Sequence, residues 1–293
     1  MIIVTGANGQ LGRAIALHLL ARAAPGDLAV SVRDPAQAAP LAERGIAVRA
    51  GDFARPATLA GAFAGAETLV LVSSNAAAYG GDTLAQHRAA IDAARAAGVR
   101  RVVYTAHQGT AAASAFGPCR DHAATEALLA ASGLAWTSLR NGFYASSGLG
   151  FIGRAFETGV IETPADGKVS WTDRADLAVA AAAVVQGDPR ADGPTAPLTA
   201  GEALDFADLA ALATEVLGRP IRRQVIADDD FRARFATTGA PAGMADFVLG
   251  FYRAARSSEF SVVDPTLERL LGRRPTGLRE LIARQSGAAR TAR

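Results

Sequence analysis

The sequence is poor in the residues that build disulfides, metal clusters and membrane anchors. It has one cysteine, Cys119, in 293 residues, which excludes an internal disulfide framework and a thiolate metal cluster. No apolar run approaches the roughly 20 residues that a membrane helix needs, and no basic segment precedes an apolar one at the start. We therefore expect no membrane span, no signal peptide and a cytoplasmic protein.

Lysine and metal-spaced histidine are also scarce. Lys168 is the single lysine, and the net charge of +2 comes from arginines scattered among acids, which gives no nucleic-acid surface. Neither the i, i+4 spacing nor the CxxC partners of zinc sites occur around the four histidines, which are His18, His87, His107 and His122. We expect no nucleic-acid partner and no bound metal.

The first half of the chain alternates short apolar runs with helix-like stretches. Six runs read as strands, at residues 2–4, 28–32, 46–49, 68–72, 101–104 and 135–139. Parallel neighbours need crossover connections, and helical patterns fill the gaps between the runs. The pattern predicts an α/β protein with a doubly wound, mostly parallel Rossmann sheet.

Three glycines follow the first predicted strand at a G-x-x-G-x-x-G spacing. Gly6 permits a tight turn, Gly9 lets the backbone approach a pyrophosphate, and Gly12 allows the next helix to pack on the strand. The helix N-terminus offers N–H groups and a positive dipole end to phosphates. A purely structural glycine turn is the alternative. We predict a dinucleotide site with these contacts: Gly6, Asn8, Gly9, Gln10, Leu11 and Gly12.

The end of the second predicted strand bears on the choice between NAD and NADP. A carboxylate there would bind the ribose 2′-hydroxyl of NAD. Asp34 has another explanation, because Pro35 follows it and Gln37 lies three residues on, as in a helix N-cap with a capping box. Arg33 is then left to pair with a 2′-phosphate, which favours NADP(H); a solvated Arg33 is the alternative.

Other strand ends supply further cofactor candidates, because ligands of open α/β sheets bind outside the carboxyl ends of the strands. We expect Asp52 and Phe53, after the third strand, near the adenine. Ser73 and Ser74 end the fourth strand and are placed beside the cofactor. Tyr104, on the fifth strand, is assigned to core or cofactor-side packing.

The regular alternation loosens after Asn141. Residues 1–141 are expected to form the NADP-binding Rossmann domain. Residues 142–286 are expected to form a smaller, mostly helical substrate-binding lobe, with a possible strand at 195–199 that returns to the sheet. Residues 287–293 are small and polar, and we expect a frayed tail there.

These motifs together resemble the atypical short-chain dehydrogenase/reductases of the NmrA-like type. The resemblance is strongest to small, flavin-free bacterial NAD(P)H:quinone oxidoreductases, followed by triphenylmethane-dye reductases. It runs from Met1 to about residue 185 and weakens beyond. It rests on the glycine segment and on Val32-Arg33-Asp34-Pro35, Ala97-Gly98-Val99, Tyr104-Thr105, Asp121-His122 with Thr125-Glu126, Leu139-Arg140-Asn141-Gly142-Phe143-Tyr144, Asp166-Gly167-Lys168 and Arg174-Ala175-Asp176.

The wider superfamily uses a Tyr-x-x-x-Lys pair beside a serine, and this pair is missing here. None of the four tyrosines has a lysine four residues on. Where related quinone reductases often read Tyr-Thr-Ser, this chain has Tyr104-Thr105-Ala106. Reducing a simple ketone needs strong acid–base help, whereas a conjugated acceptor delocalises charge and needs mainly alignment with the nicotinamide.

Two residues are candidates for catalysis. His122 opens the helix after the fifth strand, where the family often has a histidine; such a side chain titrates near neutral pH and could donate a proton. A surface or capping histidine is the alternative, and His107 is a weaker candidate. Asn141 could orient the nicotinamide or substrate through its amide, or serve a turn. Phe143, Tyr144, Phe151 and Trp171 would line an apolar acceptor pocket or belong to the core.

The sequence therefore predicts an NADPH-dependent reductase that transfers hydride to a quinone or similar conjugated small molecule, as a monomer or homodimer. One alternative is a non-catalytic NADP(H)-binding redox sensor, which the missing hydroxyl at Ala106 favours. Another is a tailoring reductase of a biosynthetic pathway.

Overall fold

The computed structural model describes residues 1–24, 26–152, 154–187, 192–241 and 243–291, with side chains as far as residue 287. Within these residues the strands are β1 Ile2–Thr5, β2 Leu28–Val32, β3 Ala47–Ala50, β4 Thr68–Leu71, β5 Arg101–His107, β6 Ala135–Asn141, β7 Phe143–Tyr144, β8 Val160–Pro164, β9 Trp171–Thr172, β10 Gly193–Pro194 and β11 Arg222–Ile226.

Helices fill most of the connections. They are α1 Gln10–Leu20, α2 Ala39–Ala42, α3 Leu59–Phe63, α4 Thr83–Ala96, α5 Gly117–Ala130, α6 Ala145–Ile152, α7 Ala155–Thr158, α8 Arg174–Gln186, α9 Phe206–Leu217, α10 Asp228–Ala236, α11 Met244–Arg256, α12 Thr266–Leu271 and α13 Leu278–Thr291. Short 3-10 turns precede α2, α3 and α4, at Pro35–Ala38, Pro56–Thr58 and Ala76–Tyr79. No helix in the described ranges is long and apolar enough to cross a membrane.

Seven strands form one parallel sheet in the order β10-β6-β5-β4-β1-β2-β3. The chain runs outward from β1 to β3, then returns to the other side of β1 through β4. This reversal between β1 and β4 is the topological switch point at which open α/β sheets bind ligands. The predicted doubly wound α/β fold is confirmed.

The strands read as apolar runs because both faces of the sheet are covered. All five residues of β2 are buried. On one face, Ile3, Leu69 and Val102 pack with α3 and α4 in a core that also holds Phe63 and Ile91. Side chains alternate along a strand, so their neighbours face the other side of the sheet, where α1 packs along α8.

The chain divides into two compact units. The sheet unit contains residues 1–112, 118–141 and 174–196, and the helical unit contains residues 113–117, 142–173 and 197–293. Both the interpretation of the sequence and the structure place a boundary after Asn141. The sheet unit also contains α8 and β10, which the sequence interpretation placed in the lobe. The helix α8 is apolar almost all round, with five buried apolar residues, and such a helix belongs against a sheet.

Three details of the lobe differ from the prediction. The strand that returns to the sheet is β10, not residues 195–199, and it pairs with Thr137 and Ser138 of β6. Residues 142–158 have a helical sequence pattern, but they begin with the short β7, which pairs with β9 before α6 begins. The expected frayed tail at 287–293 is helical as far as Thr291, since α13 continues; residues 292 and 293 lie outside the described residues.

Candidate cofactor and active site

The glycine segment forms a tight turn between β1 and α1. Gly6 has φ +64°, in the left-handed region, and its carbonyl accepts a 2.9 Å hydrogen bond from the Gly9 N–H. A Cβ on Gly12 would lie 2.6 Å from the Gly6 carbonyl oxygen and 2.8 Å from that of Thr5. Gly12 therefore lets α1 pack directly against the strand end, as its position in the motif predicts.

The first turn of α1 is open to an anion. Its cap residue, Gly9, has no side chain to bond the first N–H groups, and the first helical residue, Gln10, is exposed. Leu11 is buried and anchors the helix in the core. The Arg174 guanidinium donates to the Gln10 side-chain oxygen, which places a cation beside this helix start. N–H donors, helix dipole and Arg174 together favour a phosphate.

Two charged neighbours at the end of β2, Arg33 and Asp34, have different surroundings. Asp34 caps the following 3-10 turn, because its carboxylate accepts from the Ala36 N–H at 3.1 Å and from Gln37 Nε2 at 2.9 Å. The capping interpretation of Asp34 is confirmed. Asn8 Nδ2 donates to the Asp34 carbonyl at 2.9 Å and ties the glycine loop to this strand end. Arg33 is exposed, and no described residue pairs with its side chain.

The residues after β3 are occupied by local contacts. Asp52 accepts from the Ala54 N–H at 3.0 Å and from Arg55 Nε at 3.0 Å, so its carboxylate serves a turn. Phe53 is half-buried and packs against the core of the sheet unit. Their contact with an adenine stays a prediction.

Ser73 and Ser74 are held by their backbone N–H groups at the carboxyl end of β4. Ser73 N–H donates to Thr105 Oγ1 at 3.0 Å, and Ser74 N–H donates to His87 Nε2 at 2.8 Å. Ser74 Oγ also donates to Gln86 Oε1. Helix α4 and strand β5 therefore fix this loop at the switch point.

His87, which the sequence interpretation did not select, contacts this loop from α4. It is fully buried on α4, and its Nδ1 lies 2.8 Å from Thr125 Oγ1, which itself donates to the Asp121 carbonyl. Burial lowers its pKa from 6.5 to about 4. The helical spacing of Thr83, His87 and Ala90 places His87 on the inner face of α4, and this periodicity was the available signal.

Tyr104, which is buried, pairs with His122, which is half-buried. Tyr104 Oη lies 2.6 Å from His122 Nδ1. The Tyr104 side chain is 0% exposed and belongs to the apolar core, edge-on to the His87 ring at 5.4 Å. Because the side chain is buried, it has no surface with which to contact a cofactor. Of the two predicted roles, core packing and cofactor-side packing, the structure favours core packing.

The surroundings of His122 disfavour the charged form of its ring. Burial, followed by the neighbouring His107 and His87, holds the pKa of His122 well below its usual value. The His107 ring stacks on it with centroids 6.4 Å apart, and burial lowers the pKa of His107 to about 3. This lowered pKa disfavours an imidazolium at position 122, and the catalytic role of His122 stays a prediction. We call His87, Tyr104, His107 and His122 the histidine cluster.

Asn141 lies at the same edge of the sheet as the histidine cluster. It pairs with His107 across β5 and β6, and its carbonyl accepts from the Gln108 N–H at 2.8 Å. Glu126 and Arg140, joined at 2.7 Å, brace this strand end. Asn141 is 2% exposed, and its Oδ1 has no hydrogen-bond partner among the described residues. An orphaned buried amide oxygen suits a ligand that brings a donor.

The missing hydroxyl at Ala106 does not open a gap in a binding surface. Ala106 is buried in the same apolar core as Tyr104, which lies two residues before it on the same face of β5. Thr105, between them, faces the other way and holds Ser73. The absence of a serine at position 106 therefore says little about ligand contact.

The aromatic residues of the helical unit pack mainly on one another. Trp171 is 2% exposed and donates from Nε1 to the Leu204 carbonyl at 2.9 Å, which places it in the core. Phe143 and Phe151 are half-buried, with ring centroids 4.7 Å and 5.7 Å from Phe251. An acceptor pocket on this side stays a prediction.

The chain matches known proteins over nearly its whole length. The NAD(P)H-binding family model matches residues 6–188. Quinone oxidoreductase 2 of Escherichia coli is 36% identical, over 97% of this chain and 98% of that protein. The crystal structure of the E. coli NADPH-dependent quinone oxidoreductase QOR2 with NADPH has a TM-score of 0.90, with 35% identity over 97% of this chain and 99% of that chain.

A third similar protein is the Citrobacter sp. triphenylmethane reductase, whose structure is complexed with NADP(H). It has a TM-score of 0.88 and 31% identity, over 97% of this chain and 99% of that chain. An NmrA-like family domain-containing oxidoreductase of Aspergillus flavus is 30% identical, over 96% of this chain and 93% of that protein. The resemblance to NmrA-like reductases is thereby confirmed, and so is the prediction of a nicotinamide dinucleotide cofactor. The open helix start, the glycine cradle and these matches lead to one conclusion: the chain belongs to the NAD(P)H-binding family.

Proposed function

We propose that the protein is an NADPH-dependent reductase that transfers hydride to quinones or similarly conjugated small molecules. The observation that carries this proposal is a dinucleotide cradle at the same sheet edge as a cluster of neutral histidines. The single lysine, Lys168, belongs to the helical unit and forms ion pairs with Asp205 and Asp208. The acid–base pair that ordinary carbonyl reduction needs is absent, so the acceptor must delocalise its own charge.

The residues present fit NADPH at three places. The α1 start and Arg174 would hold the pyrophosphate, and Gly9 leaves room for it. Arg33 would pair with the 2′-phosphate, which distinguishes NADPH from NADH. The orphaned Oδ1 of Asn141 would accept from the nicotinamide carboxamide. When bound, NADPH supplies a hydride from its nicotinamide ring.

His122 would act as a neutral hydrogen-bond donor to the acceptor oxygen. A two-electron reduction of a quinone takes one hydride from NADPH and one proton from water, and it yields NADP⁺ and the hydroquinone. Negative charge develops on the quinone oxygen before that proton arrives. A preorganised N–H donor stabilises such charge without being ionised itself.

The test is NADPH oxidation by the purified full-length protein with a panel of acceptors. We expect turnover with benzoquinones, naphthoquinones or a cationic triphenylmethane dye, after the uncatalysed reaction is subtracted. NADH in place of NADPH should give a higher KM at similar kcat. Tight NADPH binding with no turnover on any conjugated acceptor would contradict the proposal and support a redox sensor.

The sensor alternative has lost the observation that motivated it. It rested on the missing hydroxyl at Ala106, and that position is buried in the apolar core. No other described feature favours binding without turnover.

A further inference from the structure

Hydrogen bonds from main-chain groups decide which nitrogen carries the proton in two of the clustered histidines. An N–H group only donates, so the nitrogen that it faces must present a lone pair. Ser74 N–H faces His87 Nε2 at 2.8 Å, which puts the His87 proton on Nδ1. Gly109 N–H faces His107 Nδ1 at 3.1 Å, which puts the His107 proton on Nε2. Both rings are neutral, since burial lowers the pKa of each.

His122 differs because a hydroxyl faces it. Tyr104 Oη, 2.6 Å from His122 Nδ1, can either donate to a lone pair there or accept from an N–H. A phenol is the stronger acid of the two groups, and an imidazole nitrogen is a stronger base than a phenol oxygen. Donation from Tyr104 is therefore the favoured arrangement, and the His122 proton then lies on Nε2.

Burial makes this hydrogen bond hard to exchange. The Tyr104 side chain is 0% exposed, so its hydroxyl cannot turn to bulk water for a partner. The His107 ring, with an interplanar angle of 18°, restricts rotation of the His122 ring from its other side. His122 itself is half-buried, and no described residue pairs with its Nε2. This nitrogen is the one available to a ligand.

We infer that Tyr104 is a positioning residue that locks His122 in its Nε2–H tautomer, so that a neutral N–H is presented to the acceptor oxygen. The catalytic consequence rests on the proposed function, whereas the tautomer does not. In this arrangement Tyr104 never meets the acceptor or the cofactor. It acts through His122, which gives a fully buried tyrosine a part in the reaction.

The test reads the tautomer directly by nitrogen-15 NMR of the full-length protein labelled at histidine. The chain has four histidines, so each signal can be assigned, and His122→Gln identifies its own by loss. We expect a neutral Nε2–H imidazole for His122 and, in contrast, a neutral Nδ1–H imidazole for His87. A proton on His122 Nδ1 in the wild-type protein would overturn the inference without any variant.

Tyr104→Phe sharpens the result. Losing a donor to the neutral ring removes a preference for that form, so the pKa of His122 should rise and a mixture of tautomers should appear. Turnover with a quinone should fall about 10-fold, which is roughly 1.4 kcal/mol, with an unchanged KM for NADPH. The matched control is Tyr252→Phe, which removes the same hydroxyl from a buried tyrosine of the helical unit. It should leave the His122 signals unchanged.

The two claims fail in different ways. If Tyr104→Phe leaves the His122 tautomer and pKa as in the wild type, the inference about Tyr104 is wrong. If the tautomer responds as expected but the wild-type protein reduces no conjugated acceptor, the proposed function is wrong and the tautomer assignment stands.

Discussion

Two regions along the carboxyl edge of the sheet differ in how their polar groups are hydrogen-bonded. At the end formed by the glycine loop and β2, donors lack protein partners: the α1 start has no side-chain cap, and Arg33 pairs with no described residue. In the histidine cluster, protein groups face one nitrogen of each ring, namely His87 Nε2, His107 Nδ1 and His122 Nδ1, and the rings are neutral. The first region is built to meet a charged ligand. The second is built to offer a hydrogen bond without carrying charge.

In the first region, we expect the largest loss of stability and of NADPH binding from a substitution at Gly12. A Cβ there would meet two main-chain oxygens below 3.0 Å, and main chain cannot move aside as a side chain can. Gly12→Ala should cost about 1–3 kcal/mol of folding free energy, as overpacked substitutions do. NADPH should bind at least about 100-fold more weakly, or roughly 2.7 kcal/mol. Thermal unfolding and fluorescence titration measure the two effects.

The matched control for this change is Gly61→Ala on α3. A Cβ at Gly61 meets nothing within 4 Å, so the alanine should gain up to about 1 kcal/mol from helix propensity. Equal losses of stability in both variants would contradict the packing account of Gly12.

The second region should lower the free energy of unfolding as the pH falls. The pKa of His87 is 6.5 when unfolded and about 4 when folded, so the unfolded chain binds the extra proton between these values. Stability from this group is therefore complete above pH 6.5 and is lost as pH falls towards 4, by about 3 kcal/mol in total. Denaturant unfolding across this pH range should show a shallower loss for His87→Gln. His18→Gln, at an exposed position of α1, is the control, and an identical slope in all three proteins would refute the assignment.

Within the first region, substitutions of two arginines should affect the affinities for NADPH and NADH differently. Arg33→Ala should weaken NADPH by about 10- to 100-fold, since charge-assisted hydrogen bonds contribute ~1.5–3 kcal/mol, and should hardly affect NADH. Arg174→Gln, beside the pyrophosphate position, should weaken both cofactors by the same factor. Equal effects of Arg33→Ala on NADPH and NADH would remove the 2′-phosphate assignment.

The mildest change is expected at His122. His122→Gln keeps a donor and should lower kcat about 10-fold, roughly 1.4 kcal/mol, with unchanged KM for NADPH. Because the pKa of His122 is well below its usual value, the wild-type kcat should not fall as pH rises through about 6.5. A fall with an apparent pKa near 6.5 that disappears in His122→Gln would restore the imidazolium donor.

The same comparison explains what could be predicted from sequence. The glycine loop, the Asp34 cap and the alternation of strands and helices follow from patterns among residues that are near in the chain. The histidine cluster does not, because His87, Tyr104 and His122 meet only when α4, β5 and α5 pack together. His122 was found by resemblance, but its protonation state depends on burial, which no spacing in the sequence reveals. The return of α8 to the sheet unit is likewise a long-range contact.

The central claim is that this site reduces acceptors that need no acid–base pair. The measurement that tests it most directly is the ratio of NADPH oxidation rates with benzoquinone and with an isolated ketone such as cyclohexanone, using the same protein and the same NADPH concentration. We predict turnover with the quinone at least about 100-fold faster than with the ketone, because a positioned acid contributes ~10²–10⁴-fold and this site lacks the Tyr–Lys pair. Equal rates, or turnover of the ketone alone, would contradict the account.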